Sequence, residues 1–246
     1  MVYAIDSEME KTMSQAATDY LQPLLDRLEA QANPAEAAPM ARYMRDQFPF
    51  YGIKTPQRRL LVREFLARQG LPPPDLLESV VLALWQRPQR ECQYIAVGLL
   101  ERGSKRLDTP IVDLLEQLII TKSWWDTVDS LASGLAGEQF RRFPAAGAAA
   151  LPRWRTSDNI WLRRSAILFQ LGYKKETDAE LLLAIIEENK TSGEFFIQKA
   201  IGWALREYSK TNPGLVVDFV ERAKLAPLSQ REALKWLQRR ASSERA

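Results

Sequence analysis

The sequence predicts an all-α protein, built as a HEAT-like α-solenoid in which antiparallel helix pairs stack into a superhelix with a concave basic groove. Apolar residues recur at spacings of three and four, as on one face of an amphipathic helix. Strict alternation of apolar and polar residues is hard to find over more than four positions, and hairpin dipeptides such as Asn-Gly are missing. These observations favour helices throughout.

Helix starts follow one another along the chain, each marked by a polar capping residue, often with proline in the first turn. They are Asn33-Pro34, Thr55-Pro56, Thr109-Pro110, Ser157-Asp158, Thr177-Asp178, Asn212-Pro213 and Ser229. Between these marks we expect about a dozen helices of roughly 12–17 residues, joined by short turns. Many short helices suit a HEAT-like solenoid better than a four-helix bundle. Stacked pairs would leave a concave face for a long partner.

The composition excludes several kinds of chemistry. The chain has one cysteine, Cys92, and no histidine, which removes histidine general bases, Ser-His-Asp triads and most zinc sites. We therefore expect neither a metal nor a cofactor. No apolar run approaches the roughly 18 residues that span a membrane, and the start lacks the order of a signal peptide. We expect a cytoplasmic monomer, with one domain over residues 1–246 and residues 1–23 as a helical extension.

Charge is distributed unevenly around a net value of +3. Residues 1–38 hold seven acidic and two basic side chains, whereas residues 39–69 hold seven basic and two acidic ones. Such asymmetry indicates a polyanionic partner. A basic stretch by itself is more often a solvated helix face, so this feature alone does not identify nucleic acid.

Two stretches combine an aromatic residue with a charged one. In residues 123–130, Trp125 and Asp129 stand four apart and would share one helix face. Trp124, Val128 and Leu131 would lie on another, buried face. The alternative is a core tryptophan with an aspartate that caps a helix. In residues 157–164, Arg164 follows an aromatic residue by three positions, which also fits a solvated arginine on a capped helix.

Two further stretches combine aromatic and basic side chains. Phe196, Lys199 and Trp203 follow the spacing of one helix face, and the neighbouring Gly202 would let a backbone or a ligand approach closely. Such aromatic stripes more often form core, but a cation within one is less usual. Residues 40–59 interleave aromatic and basic residues and end at the Thr55-Pro56 helix start. Helix N-termini with nearby arginines bind phosphates.

Taken together and in this order, these stretches resemble the AlkD family of DNA alkylation-repair glycosylases. The resemblance spans roughly residues 24–241. It rests on four long strings without gaps: MARYMRDQFPFYGIKTPQRR, TKSWWDTVDS, SDNIWLRRSAILFQL and EFFIQKAIGWALREYSKTNP. It implies a HEAT-like superhelix that holds duplex DNA in its groove. The implied activity is excision of N3- and N7-alkylated purines, such as 3-methyladenine and 7-methylguanine, in base excision repair.

The resemblance also implies roles for individual residues. The family's catalytic carboxylate falls on Asp129, its two flanking tryptophans on Trp125 and Trp203, and its groove arginine on Arg164, which we expect to hold a backbone phosphate. Weaker candidates for DNA contacts are Tyr43, Thr55, Arg59, Lys199 and Arg206. The family is held to leave the damaged base in the stack.

Two other functions stay open at this point. One is a non-catalytic HEAT-like module that binds distorted or branched DNA without depending on Asp129. The other is a protein-interaction solenoid, which would show no salt-sensitive DNA binding. The intact set of Trp125, Asp129 and Trp203 favours the enzyme over both.

Overall fold

A computed structural model describes residues 2–243, with side chains from residue 11 onward, and it contains no strand within that range. The all-α prediction is therefore confirmed, and helices that are neighbours in the chain pack on one another as expected for a HEAT-like α-solenoid. The described chain divides after Asp108 into two compact units. The single domain over residues 1–246 stays a prediction. None of the described helices is long and apolar enough to cross a membrane.

The first unit contains five α-helices and a closing 3-10 turn within the described residues. They are α1 (Val2–Ala30), α2 (Pro34–Tyr43), α3 (Thr55–Gln69), α4 (Leu77–Gln86), α5 (Arg90–Gly103) and the 3-10 turn Ser104–Arg106. Helix α1 packs against α3 and α4. It continues without a break through residues 2–23, the predicted extension, and its buried residues begin at Ala17. Cys92 of α5 is fully buried.

Glu91 of α5 fixes the loop that leads into α3. Its carboxylate is fully buried and accepts hydrogen bonds from the backbone N–H groups of Tyr51 (3.0 Å), Gly52 (2.9 Å) and Ile53 (3.1 Å). Gly52 is required in this loop because its φ is +86° and a Cβ there would lie 2.1 Å from the carbonyl oxygen of Asn33. The buried carboxylate and this close backbone approach together hold the loop that precedes α3.

The second unit contains the remaining helices of the described chain. They are α6 (Val112–Ile120), α7 (Trp125–Ser130), α8 (Gly137–Arg142), α9 (Pro144–Arg155), α10 (Ile160–Leu168), α11 (Ala179–Asn189), α12 (Phe195–Tyr208), α13 (Pro213–Ala223) and α14 (Pro227–Ser243), with a 3-10 turn at Lys174–Glu176. Several are shorter than predicted, α7 and α8 having six residues each. Helix α12 packs extensively on α14 and also contacts α10.

A π-helical turn, Leu131–Ala136, joins α7 to α8 without an intervening loop. Leu131, Ala132, Leu135 and Ala136 are buried in it, so this wider turn is part of the core of the second unit. Such turns are rare and are frequently found at functional sites. The sequence pattern did not predict it, because apolar spacing alone does not distinguish a π turn from an α turn.

The predicted helix starts agree with the structure where the capping side chain is the helix N-cap. The side chains of Asn33 and Asn212 accept hydrogen bonds from the first turns of α2 and α13. The side chain of Asp178 does the same for α11. Four starts differ: α3 has Lys54 at its N-cap position and Thr55 as its first residue, α6 begins two residues after Pro110, α10 is capped by Asn159, and Ser229 lies inside α14. In α14 the Ser229 hydroxyl donates to the carbonyl oxygen of Gln198 instead.

Replacing Glu91 by Gln should destabilise the first unit. An amide keeps the shape of the carboxylate but offers one acceptor atom in place of two, and it faces N–H donors at Tyr51, Gly52 and Ile53. We expect a loss of about 3 kcal/mol in the free energy of unfolding, measured by urea denaturation. Glu78→Gln, at an exposed position of α4, is the matched control and should lose less than about 1 kcal/mol. Equal losses for the two variants would contradict this role of Glu91.

Candidate active site

Helix α7 presents one buried face and one accessible face. Val128 and Leu131 are fully buried and anchor the helix in the core. Trp125 and Asp129 lie one turn apart on the other face, and both are half-buried. The predicted buried face is confirmed for Val128 and Leu131 but is wrong for Trp124, which precedes α7 in extended conformation and is only half-buried. An indole and a carboxylate lie next to one another at the surface of the second unit.

Arg164 of α10 holds the Asp129 carboxylate with two hydrogen bonds. Its Nε donates to Oδ1 at 2.7 Å and its Nη2 donates to Oδ2 at 2.8 Å, a bidentate arrangement that fixes both position and rotation of the carboxylate. The Arg164 side chain is 5% exposed and that of Asp129 is 16% exposed. The carboxylate, and not the guanidinium, is therefore the accessible member of the pair.

The third nitrogen of the Arg164 guanidinium is also occupied by the protein. Nη1 donates to the carbonyl oxygen of Phe196, in the first turn of α12, at 2.5 Å. One side chain on α10 thereby connects Asp129 on α7 with the backbone of α12. The expected phosphate contact from Arg164 does not match this geometry, because Nε, Nη1 and Nη2 all point at protein acceptors.

Three aromatic rings pack together beside this pair. Trp124 lies 5.9 Å from Trp161 and 5.1 Å from Phe196, and Trp161 lies 4.9 Å from Phe196, between ring centroids. The Arg164 guanidinium carbon lies 5.9 Å from the centroid of the Phe196 ring. Sequence analysis did not assign Trp124 or Trp161 to the site. They extend the aromatic cluster that contacts Arg164 through Phe196.

Burial raises the pKa of Asp129 above its ordinary value. The two hydrogen bonds and the charge of Arg164 act in the opposite direction, and the neighbouring charge of Asp126 raises the pKa further. A carboxylate in this environment is poorly solvated, so its charged form is costly unless a further cation comes close. The site is therefore suited to a positively charged ligand or transition state.

Helix α12 contributes a second set of functional candidates. Lys199, Trp203 and Arg206 follow one another at spacings of four and three, so Trp203 lies between two cations on one helix face. Trp203 is half-buried. Both cations bind Glu232 of α14: the Lys199 Nζ lies 3.0 Å from Oε1, and the Arg206 Nη1 lies 2.7 Å from Oε2. Glu232 could not be assigned to the site from the sequence, because it lies far from α12 in the chain.

Gly202 explains how α12 and α14 come so close at this point. A Cβ at Gly202 would lie 2.5 Å from the Cβ of Glu232 and 2.9 Å from the carbonyl oxygen of Ser229. Gly202 was expected to permit the close approach of either another backbone or a ligand. In the structure the backbone of α14 makes this approach. Glycine at this position therefore brings Glu232 within reach of Lys199 and Arg206.

The other predicted DNA contacts lie in the first unit. Tyr43 is the last residue of α2 and is 71% exposed, an unusual exposure for an aromatic side chain. Thr55 is the first residue of α3, and Arg59 lies one turn later; both are exposed. These three contacts stay predictions. Among the described residues, no group of three or more acidic or cysteine side chains could hold a metal ion.

Comparisons with known proteins found a matching family and a similar solved structure. A family model described as a DNA alkylation repair enzyme matches residues 24–237. A solved structure described as a predicted DNA alkylation repair enzyme from Enterococcus faecalis is 37% identical in sequence and superposes with a TM-score of 0.78. That similarity covers 84% of this chain and 97% of the other. No curated protein matches the chain significantly.

The pKa of Asp129 should respond to its neighbours in opposite directions. Asp126→Asn removes a negative charge and should lower the pKa of Asp129, whereas Arg164→Gln removes two charged hydrogen bonds and should raise it. In the wild type the midpoint should lie above about 3.9, the ordinary aspartate value. Carboxyl chemical shifts followed by NMR across a pH titration measure all three midpoints. A wild-type midpoint below the ordinary value would contradict the dominance of burial.

Proposed function

The chain belongs to the DNA alkylation repair enzyme family, and we propose that it acts there as a DNA glycosylase on cationic N3- and N7-alkylated purines. Membership in the family implies DNA binding and a role in alkylation repair. The glycosylase activity, with 3-methyladenine and 7-methylguanine as substrates, is proposed from the resemblance to the AlkD family. The observation that carries this proposal is the partly desolvated Asp129 carboxylate, held by Arg164 and accessible beside Trp125.

The proposed substrate explains why no histidine is needed. Alkylation at N3 or N7 leaves a positive charge on the purine, so the base departs neutral and needs no general acid. When the glycosidic bond breaks, its electron pair goes to the purine and a positive charge develops on the deoxyribose. Water then bonds to the sugar carbon and releases a proton, which leaves a free alkylpurine and an abasic site.

Asp129 opposes the positive charge that develops on the sugar. At about 4 Å and an effective dielectric near 20, a carboxylate and a cation attract each other by roughly 4 kcal/mol. If that attraction arises only in the transition state, it accelerates the reaction about a thousandfold. Each carboxylate oxygen has a second lone pair beyond the one that Arg164 occupies. Those lone pairs are available to the sugar or to the attacking water.

Arg164 is a positioning residue in this proposal. Its bidentate hydrogen bonds set the direction of the Asp129 carboxylate, and its contact with the Phe196 carbonyl oxygen relates that direction to α12. This replaces the phosphate contact expected from the sequence. Lysine could not substitute for it, because a single ammonium group cannot form the planar, bidentate arrangement.

Trp125 and Trp203 are proposed to lie against the deoxyribose and the cationic base. The face of an indole ring attracts a cation by roughly 0.5–2 kcal/mol, and the attraction grows with the developing charge. Both side chains are half-buried, which leaves part of each ring accessible. They would stabilise the transition state without accepting or donating a proton.

Replacing Asp129 by Asn should abolish most excision while DNA binding persists. We expect the single-turnover rate of 7-methylguanine release from methylated duplex DNA to fall about a thousandfold, because the neutral amide no longer opposes the developing charge. Duplex affinity should change little, since Asp129 contributes no contact to phosphate. The rate is measured by chromatography of the released base, and affinity by fluorescence anisotropy.

Two further variants support the interpretation of this result. Asp126→Asn makes the same chemical change three residues away and should keep the excision rate within about tenfold. Trp203→Phe weakens the cation–π contact and should slow excision by about 2- to 30-fold without removing a buried charge. Excision by Asp129→Asn at the wild-type rate would refute the mechanism. A folded wild type that binds DNA but releases no base would favour the non-catalytic DNA-binding module.

A further inference from the structure

Three cations from two helices surround one buried carboxylate at the junction of α12 and α14. Glu232 accepts from Lys199 at 3.0 Å and Arg206 at 2.7 Å, and Lys235 lies 3.9 Å away. We call these four residues the Glu232 cluster. The carboxylate side chain is 10% exposed, whereas the Lys199, Arg206 and Lys235 side chains are 36%, 27% and 45% exposed. The cluster therefore presents positive charge to solvent and keeps its negative charge inside.

Glu232 stays ionised within this cluster. Burial alone would raise the pKa of Glu232, but the hydrogen bond and charge of Lys199, with the charges of Lys235 and Arg206, outweigh burial and lower it. One carboxylate beside three cations leaves a net charge of about two positive units. A phosphodiester carries a single negative charge, so the cluster can attract one, whereas a simple ion pair has no net charge to offer.

The cluster lies next to a proposed catalytic residue. Lys199 and Arg206 precede and follow Trp203 on the same face of α12, at spacings of four and three residues. An anion bound by these two cations would therefore lie within about one helical turn of the Trp203 ring. In a DNA substrate, the anions found at such a distance from a deoxyribose are its own and adjacent phosphates.

We propose that the Glu232 cluster is a binding site for a phosphate of the DNA backbone, and that Glu232 is the positioning residue that arranges its cations. The proposal rests on the proposed function, because it takes DNA as the ligand. Lys199 has two N–H donors beyond the one directed at Glu232, and Arg206 has four. Lysine and arginine lose rotamer freedom when they bind a phosphate, and a buried carboxylate that restrains them beforehand reduces that loss.

Glu232→Gln distinguishes positioning from simple attraction, because the two predict opposite changes in the dissociation constant Kd for DNA. The variant makes the cluster more positive by one charge, so attraction alone predicts tighter DNA binding and a steeper salt dependence. Positioning predicts that Kd for a short undamaged duplex rises by about fivefold and that the salt slope becomes shallower by about one. Fluorescence anisotropy over a salt series measures both quantities. An unchanged or lower Kd would overturn the proposal.

Glu188→Gln is the matched control for charge. It removes one acidic group of α11 that binds Arg155 of α9, so it changes the net charge by the same amount elsewhere in the second unit. Its Kd should be equal to or lower than that of the wild type. Thermal melting of both variants checks that they are folded at the assay temperature.

A lysine pair provides a second test that does not depend on Glu232→Gln being folded. Lys235 and Lys190 each lie three residues after a glutamate partner, at 3.9 Å from Glu232 and 2.5 Å from Glu187. Lys235→Gln should raise Kd about fivefold, whereas Lys190→Gln should raise it less than about twofold. Equal effects of the two variants would overturn the assignment of Lys235 to the site.

Excision kinetics separate this proposal from the proposed function. Half-saturation of the single-turnover excision rate should need about fivefold more Glu232→Gln than wild-type enzyme. A wild type that releases no base but shows the expected order of Kd values would refute the glycosylase and support the phosphate site. A wild type that excises, with Glu232→Gln binding DNA as tightly, would refute the positioning role of Glu232 and leave the glycosylase standing.

Discussion

The candidate site depends on one guanidinium group that serves two helices at once. Arg164 binds both oxygens of Asp129 on α7 and the Phe196 carbonyl oxygen on α12, so the carboxylate has a fixed direction relative to the helix that carries Trp203. Breaking a buried ion pair by removing one partner typically costs about 3–5 kcal/mol. The geometry of the site and the stability of the second unit are therefore set by the same contacts.

The same pair explains how a site without histidine can act on a charged substrate. Burial raises the free-energy cost of the charged Asp129 carboxylate, so a nearby cation stabilises it. Arg164, the more buried partner of the pair, provides part of that stabilisation. The Phe196 ring, packed with Trp124 and Trp161, lies beside the Arg164 guanidinium. Chemistry that needs electrostatic stabilisation, and no proton donor, suits such an environment.

Local features of the chain could be predicted from the sequence, whereas long-range partners could not. Helical periodicity placed Trp125 and Asp129 on one face of α7, and the capping preference of asparagine located the starts of α2 and α13. Arg164 is 35 residues from Asp129, and no spacing rule connects them. For the same reason periodicity placed Lys199 and Trp203 on one face but gave no sign of Glu232. Contacts between side chains of separate helices cannot be predicted from the local sequence pattern.

The π turn between α7 and α8 has a consequence for how this site could arise. Each residue added to a helix rotates everything beyond it by about 100°, and a π turn accommodates one such addition. Trp125 and Asp129 must remain accessible on one side of Leu131–Ala136, while Phe140 must remain buried on the other. Deleting one residue from that turn would bring these two requirements into conflict. A single inserted residue in an ancestral α-helix would have been enough to reconcile them.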